Sequence, residues 1–425
     1  MSEWKEVKIG DVCSVKRGAS PRPIQNFMCK NGMPWVKIAD ATRSNSRYIY
    51  STEEFITEAG VPKSRTVTPG TLIVSNSATP GLPKIMGITG CVHDGWLIIN
   101  DFNGVLKEYM YYKFIDIRRV LSNQANGSVF MNLKTDIVKD FPIKVPSIQE
   151  QEVIVAFLNN IDAKIECNQK ICENLEAQAQ ALFKHWLIDF APFKNGNFCA
   201  NREQNETCFN SAEVQPKITG KACKFVESEL GMIPEGWRVG KFTDIFDLGS
   251  GGTPKTSEKL YWEDGSIPFF SPKDVNGVYC FDTEKHITEK GLNNCSSSLY
   301  SKNTVFITCR GTVGKVAMAA VPMAMNQSNY AILSNKGYSQ YFAYLMTVSI
   351  VKKLKFKANG AVFDAITSKD FKEQIIIPNL NVVNRFDSII QPIFDNILNI
   401  GFENLRLSTL RDTLLPKLMS GQIKV

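Results

Sequence analysis

Trp4, in Glu-Trp-Lys-Glu-Val, and Trp237, in Gly-Trp-Arg-Val, stand 233 residues apart, and the same spacing recurs down the chain. Gly18-Ala19-Ser20-Pro21 matches Gly251-Gly252-Thr253-Pro254 at 233, and Pro34-Trp35-Val36-Lys37 matches Pro268-Phe269-Phe270-Ser271 at 234. Thr71-Leu72-Ile73-Val74 matches Thr304-Val305-Phe306-Ile307, and Asn126-Gly127-Ser128-Val129-Phe130 matches Asn359-Gly360-Ala361-Val362-Phe363, both at 233. An offset of 233, shifted to 234 at one of five anchors, means one structural frame built twice. Between the anchors the residues mostly differ, so the frame carries two different surfaces. The length of 425 residues agrees, since it exceeds one ordinary core and suits two domains of about 150 to 200 residues.

Each half ends in a heptad stripe. Ile154, Leu158, Ile161, Ile165, Asn168, Cys172, Leu175, Ala179, Leu182 and Trp186 alternate spacings of four and three. Phe386, Ile390, Ile393, Ile397, Ile400, Asn404, Leu407, Arg411, Leu414 and Leu418 repeat the pattern at an offset of 232. One such stripe alone reads as a helix on its own domain's core; two of equal length in one chain can bury each other as a coiled coil. Asn168 and Asn404 fall in the seams, where a buried amide fixes register. Gly401 costs about 1 kcal/mol against alanine in a helix, and Pro416 marks a late kink or the helix end. Helices of this length reach about 50 Å and would hold two domains at a set separation.

Upstream of each stripe, short Val/Ile/Phe runs at 71–74, 95–99, 305–308 and 374–377 read as strands between Gly, Pro and Asn turns, with helical stretches at 107–120 and 339–354. The expected fold class is α+β: two pseudo-repeated domains joined by two long α-helices forming an antiparallel coiled coil. The expected partition is a first domain at 1–149, its helix at 150–190, a linker at 191–232 rich in polar residues, a second domain at 233–380 and its helix at 381–425.

Chemistry is hard to find. Eleven cysteines, with irregular spacing and no CxxC pair, read as reduced packing residues. Cys91-Val92-His93 has no second pair to complete a metal site, and the chain holds three histidines in all. No segment of the Asn-Pro-Pro-Tyr type and no glycine fingerprint for S-adenosylmethionine occurs. Gly311-Thr312-Val313-Gly314-Lys315-Val316 lacks the first glycine and the hydroxyl residue of a phosphate loop. Gly249-Ser250-Gly251-Gly252-Thr253-Pro254 suits a flexible turn or a phosphate cradle. A doubled chain without a shared acid, base or ligand is expected to bind rather than catalyse. No apolar run reaches bilayer length and no export signal is seen, so the expectation is a cytoplasmic protein with no membrane partner.

The charge of +7 is compatible with a polyanionic partner. Duplex affinity comes from Lys and Arg at phosphates, and sequence is read at base edges by Arg, Lys, Asn and Gln. The turn-rich candidates are Lys16, Arg17, Arg22, Lys37, Arg43, Arg47, Lys84 and Asn126 in the first module. In the second they are Lys255, Lys273, Arg310, Lys315, Asn326, Gln327 and Asn359, beside a basic run of Lys352, Lys353, Lys355 and Lys357. For each of these the alternative is an ordinary solvated charge.

Several of these segments resemble one family. Asn174-Leu175-Glu176-Ala177-Gln178-Ala179-Gln180-Ala181-Leu182-Phe183-Lys184-His185-Trp186-Leu187-Ile188-Asp189-Phe190 is similar to the end of the first long helix in type I restriction-modification specificity subunits. Glu229-Leu230-Gly231-Met232-Ile233-Pro234-Glu235-Gly236-Trp237 resembles the start of their second target-recognition domain. Gly251-Gly252-Thr253-Pro254, Asn359-Gly360-Ala361-Val362-Phe363 and the closing Leu414-Leu415-Pro416-Lys417-Leu418-Met419-Ser420-Gly421 also resemble that family, in the right order across the whole chain. Lys16-Arg17-Gly18-Ala19-Ser20-Pro21 matches more loosely.

The resemblance implies two target-recognition domains, each reading half of a bipartite site on double-stranded DNA. It implies a helical ruler that sets the spacer and docks methylation subunits, two of them. Those partners would carry S-adenosylmethionine and methylate adenine N6; restriction subunits would add ATP-driven translocation and cleavage, with Mg2+. This chain would hold no cofactor and be no enzyme itself. Readings that stay open are a specificity chain of a type IIB-like or methylation-only system, a coiled-coil scaffold that binds proteins, and an enzyme with an unfamiliar site.

Overall fold

The computed structural model describes residues 4–43, 46–125, 132–194, 223–334, 336–357 and 365–424. They form two compact units, Met1–Glu166 with Arg406–Val425, and Cys167–Leu405. Asn126, Asn359 and residues 195–222 of the expected linker lie outside the described residues.

In the first unit, β1 (Ser14–Arg17), β2 (Tyr48–Ile49), β3 (Leu72–Ser75), β4 (Pro83–Met86) and β5 (Trp96–Asn100) form one sheet in the order β1-β5-β3-β4-β2. β3 and β4 are buried on both faces, which is why Leu-Ile-Val runs without polar alternation. One face of the sheet (Leu72, Val74, Leu97, Ile99) packs with Tyr109, Tyr112 and Phe114 of the helix Lys107–Ala125. The other face (Ile73, Met86, Trp96, Ile98) packs on Val36, Val67 and Val92 of a second sheet. That sheet runs Met28–Cys29, Glu54–Ile56, Met33–Val36, Gly90–Val92, Arg65–Val67.

The second unit repeats the design. β6 (Asp247–Ser250), β7 (Tyr279–Cys280), β8 (Val305–Thr308), β9 (Val316–Ala319) and β10 (Asn329–Leu333) lie in the order β6-β10-β8-β9-β7. Even the register repeats: Leu97 pairs with Arg17, and Tyr330 with Ser250. Val305, Ile307 and Ile332 face the helix Gln340–Lys357, while Phe306, Ala317 and Ala331 face Phe270 and Met325. Among the described residues, the second sheet keeps His286–Ile287, Ile267–Phe270 and Ala324–Met325. Its parallel pair, Phe269 with Ala324, corresponds to Trp35 with Cys91. The strands and helices expected from the sequence fall on these elements; the two helices run several residues longer.

A two-stranded ribbon closes each module just before its long helix. Lys5–Lys8 pairs with Pro142–Val145, and Arg238–Lys241 with Gln374–Ile377. The long helices are Ile148–Phe183 and Leu380–Met419. The first continues as a π turn, Lys184–Ile188, and Phe190 then takes a left-handed φ of 55° that stops it. The second helix runs past Pro416 and closes three residues later at Met419, with Ser420 N–H donating to the Pro416 carbonyl at 3.1 Å.

The seam residues meet inside the units. In the second unit, Asn168 Nδ2 donates to Asn404 Oδ1 and to Glu403 Oε2, both at 2.8 Å. Cys172 faces Ile397, and Phe183 faces Phe386, so the partner number falls as the first rises and the helices run antiparallel. Phe386, Ile390 and Ile397 are buried, while Leu175, Leu182 and Ile393 are half-buried against them. In the first unit, Ile154 and Leu158 share a core with Leu415 and Leu418, and Leu414 packs beside it. Ile161 and Ile165 are buried, and Leu407 is half-buried. The second helix also buries Val382, Phe394 and Leu398, outside the heptad seam, because its own module covers a second face. Gly401 is explained the same way: a Cβ there would overlap the ring of Phe281, which lies across the helix edge-to-face with Phe402.

Candidate nucleic-acid interface

Each module holds one glycine loop in one conformation. Ala19 N–H donates to the Val92 carbonyl at 3.2 Å, and Gly252 N–H to the Met325 carbonyl at 3.0 Å. A Cβ on Gly18 would overlap the carbonyl oxygen of His93, and a Cβ on Gly251 that of Asn326. Only glycine lets the backbones approach so closely. The hydroxyls that follow then reach equivalent side chains. Ser20 Oγ donates to Asp94 Oδ1 at 2.6 Å, and Thr253 Oγ1 donates to Gln327 Oε1.

A hairpin beside each loop repeats as well. Gly81 N–H donates to the Ser75 carbonyl and Gly314 N–H to the Thr308 carbonyl, each at 2.8 Å. The two glycines have φ of 78° and 75°, a region that disfavours a side chain. The hydroxyls of Ser75 and Thr308 cross the turn to the carbonyls of Thr79 and Thr312. These are further anchors of the repeat.

In the first module the loop carries charge. Arg22 Nη2 lies 3.1 Å from Asp94 Oδ2, while Arg17 donates to the Asp94 carbonyl at 2.7 Å with its Nη2 3.8 Å from the carboxylate. Burial works against ionisation of Asp94, but the Ser20 hydroxyl, a backbone amide and both arginines outweigh it and hold its pKa below the usual value. Ser20, Arg22 and Asp94 rim a cleft of about 970 Å³ whose lining includes Trp35, Lys37, Glu54 and His93. Burial depresses the His93 pKa, which favours the neutral ring.

The second module presents freer cations. Lys255, Arg310 and Lys315 are exposed. Lys273 lies 4.0 Å from Glu284. Asn326 is committed to its own turn, accepting from Ser328 N–H at 3.0 Å and Asn329 Nδ2 at 2.7 Å. The hairpin of Arg310 and Lys315 lies against the end of the helix Gln340–Lys357, where Lys355 Nζ donates to the Gly314 carbonyl at 3.4 Å. Lys353 is exposed beside it, and Lys352 is tied to Gln180. The loop, the hairpin and the basic helix end thus share one side of the module.

Other candidates have structural partners. Arg47 is held inside the first unit, with Nε 2.9 Å from Glu166 and Nη1 2.5 Å from Asn159; its side chain is 12% exposed. Lys84 is buried, donates to the Ser46 carbonyl and has its pKa lowered by burial to about 8. Neither presents its charge to solvent, so both leave the set of surface readers. Lys37 pairs with Glu54, Lys16 with Asp101 at 3.8 Å, and Arg43 with Glu53 at 2.9 Å. These three remain accessible.

Neither Asp94 nor Ser20 is among the Arg, Lys, Asn and Gln types that mark a base reader in a sequence. The loop hydroxyl does recur at the repeat offset, as Ser20 and Thr253, whereas its acceptor changes from Asp94 to Gln327. Among the described residues, no group of three or more His, Cys, Asp or Glu side chains is placed to hold a metal ion. No described helix is long and apolar enough to cross a membrane.

The sequence model of the type I restriction modification DNA specificity domain matches residues 1–177 and again 234–410. The chain belongs to this family. The two matches start and end 233 residues apart, the internal period of the chain. A curated relative, the specificity subunit of the type I restriction enzyme MjaIX of Methanocaldococcus jannaschii, is 29% identical over 432 residues, covering 100% of this chain and 94% of the relative. The specificity subunit of HindI from Haemophilus influenzae is 26% identical over 470 residues, covering 100% of both chains. Among solved structures, the S subunit of a type-I restriction-modification system from M. genitalium aligns with a TM-score of 0.47 at 15% identity, covering 98% of this chain and 96% of that one.

Proposed function

We propose that the chain is the DNA-specificity subunit of a type I restriction-modification complex, in which each module reads one half of a bipartite site. The observation that carries this is the doubled frame. Two family matches, two glycine loops and two hairpins share one backbone, while the exposed residues they present differ. A reader of two unlike half-sites needs that combination, because the frame fixes position on the duplex and the side chains choose the bases.

The paired helices serve as the spacer ruler, since half-sites must face the protein at a set separation along the duplex. They also dock the methylation subunits, two per chain. Those partners bring S-adenosylmethionine, and the restriction subunits bring ATP and Mg2+ chemistry. The chain selects the place and performs neither methyl transfer nor cleavage. The complex works in the cytoplasm, where its DNA is.

The test is methylation-aware sequencing of a host carrying this chain with its methylation subunit, compared with a host lacking only this chain. N6-methyladenine at one split motif with a fixed spacer, vanishing with the chain, is the expected result. An unchanged methylome from an assembled complex would leave a protein-binding scaffold as the reading.

A further inference from the structure

The internal repeat allows positions to be compared at equal backbone geometry. Residues 94 and 327 are 233 apart and occupy one place in the frame: both follow a strand of the second sheet, and both accept a hydrogen bond from the loop hydroxyl. What differs is their chemistry. A carboxylate only accepts, whereas an amide donates and accepts.

Asp94 engages each of its oxygens with a neighbouring side chain. Oδ1 takes Ser20 at 2.6 Å, and Oδ2 faces Arg22 at 3.1 Å and Arg17 at 3.8 Å. The carboxylate has no hydrogen to donate, and it holds beside it the Arg22 guanidinium, which is 78% exposed, while Arg17 is tied to the Asp94 carbonyl. A guanidinium held in a fixed direction matches the O6 and N7 acceptors of guanine. Gln327 is in the opposite position. Its Oε1 takes one bond from Thr253, leaving a second lone pair and both hydrogens of Nε2. That set matches the N6 donor and N7 acceptor of adenine. The residue equivalent to Arg22 is Lys255, exposed and suited to a phosphate rather than a base fork.

We propose that positions 94 and 327 are the equivalent specificity-determining positions of the two modules. Asp94 sets Arg22, with Arg17, against a guanine in one half-site, and Gln327 reads an adenine in the other. Asp94 is a positioning residue, while Arg22 and Gln327 touch the bases. This rests on the DNA-reading function proposed above and names the residues that carry it.

The experiment is the methylome of hosts carrying the chain with its methylation subunit, for the parent and for Arg22→Gln, Asp94→Asn and Gln327→Glu. Arg22 is largely exposed and Gln327→Glu is isosteric, so the backbone bonds of both loops are retained. The expected result is that Arg22→Gln and Asp94→Asn relax the same guanine in one half-site. Gln327→Glu relaxes one adenine in the other half-site only. Discrimination at each position should fall between about 5-fold and about 150-fold, the range a bidentate side chain–base pair supplies. Unchanged base preferences, a uniform fall in methylation without relaxed bases, or relaxation in both half-sites from one variant would each overturn the assignment. A parent methylome without any split motif overturns the reading function itself, and is distinguished by needing no variant.

Discussion

Arg411 of the second long helix and Asp162 of the first meet at 2.7 Å inside the first unit, where Tyr112 also donates to Asp162 at 2.7 Å. The Asp162 side chain is 7% exposed, so these two donors stand in for the water it has lost. Removing one partner of a buried pair is costlier than removing both. Arg411→Met is expected to destabilise the first unit by about 3 to 5 kcal/mol, and the double change Arg411→Met with Asp162→Leu to recover most of that. Urea unfolding of the four chains of this cycle decides it: simple additivity would mean the pair is not coupled.

Arg47 belongs to the same network, through Glu166, Asn159 and Tyr112. Arg47→Ala should lower stability by about 2 to 4 kcal/mol while leaving the salt dependence of DNA binding unchanged. Arg310→Ala and Lys315→Ala should do the reverse, each lowering the slope of log affinity against log salt by about 1 with the unfolding midpoint intact. Titrations of the complex at several salt concentrations, run beside melting curves, separate the two classes. A salt slope that falls for Arg47→Ala would return it to the interface.

The contrast shows what the sequence made legible. Gly18 and Gly251 stood out because the close approach to a carbonyl admits no other residue, so the same letter appears twice. The heptads stood out because burial along a helix repeats at short range. Arg47, Lys84 and Arg22 look alike as letters, however, and their different fates are set by partners far away in sequence: Glu166 lies 119 residues from Arg47. Arg411 could be placed in the seam from periodicity, but Asp162, 249 residues earlier, gives it its role. Asp94 was invisible as a site residue because a base reader is sought among donors, while its work is to hold donors in place.

The two loop glycines provide a matched pair of tests. Gly18→Ala and Gly251→Ala would each drive a Cβ into a backbone carbonyl, which cannot move aside as a flexible side chain does. Each is expected to abolish recognition of its own half-site and to spare the base preferences of the other. Selection of DNA bound by the complex at low stringency reports the two halves separately; a Gly18→Ala chain that still reads both halves would refute the shared role of the loop.

Gly401 tests the packing of the second long helix. Alanine there gains about 1 kcal/mol in helix propensity, but its Cβ meets the Phe281 ring, held against Phe402 at 5.0 Å between centroids. The overlap should win, giving a net loss of about 1 to 3 kcal/mol. Phe281→Leu in the same chain should return part of it, and a cycle of melting temperatures measures the coupling. Stabilisation by Gly401→Ala alone would show that the ring turns away freely.

Asp387, in the second unit, gives stability a pH dependence. Its carboxylate accepts from Ser339 Oγ at 2.7 Å, but burial dominates and raises its pKa from 3.8 to about 6. A carboxyl raised on folding binds its proton more tightly in the folded chain. Its contribution is therefore fully present below pH 3.8 and is lost as pH climbs through about 6. At neutral pH the ionised form costs about 1 to 2 kcal/mol, after allowance for the solvent that reaches it. Asp387→Asn keeps an acceptor for Ser339 and removes the charge. It should raise the melting temperature of the second unit at pH 7.5 and leave it nearly unchanged at pH 4, so the difference between the two chains grows across that interval. A difference of equal size at both pH values would mean that the substitution acts through packing, and that the Asp387 charge is not what burial penalises.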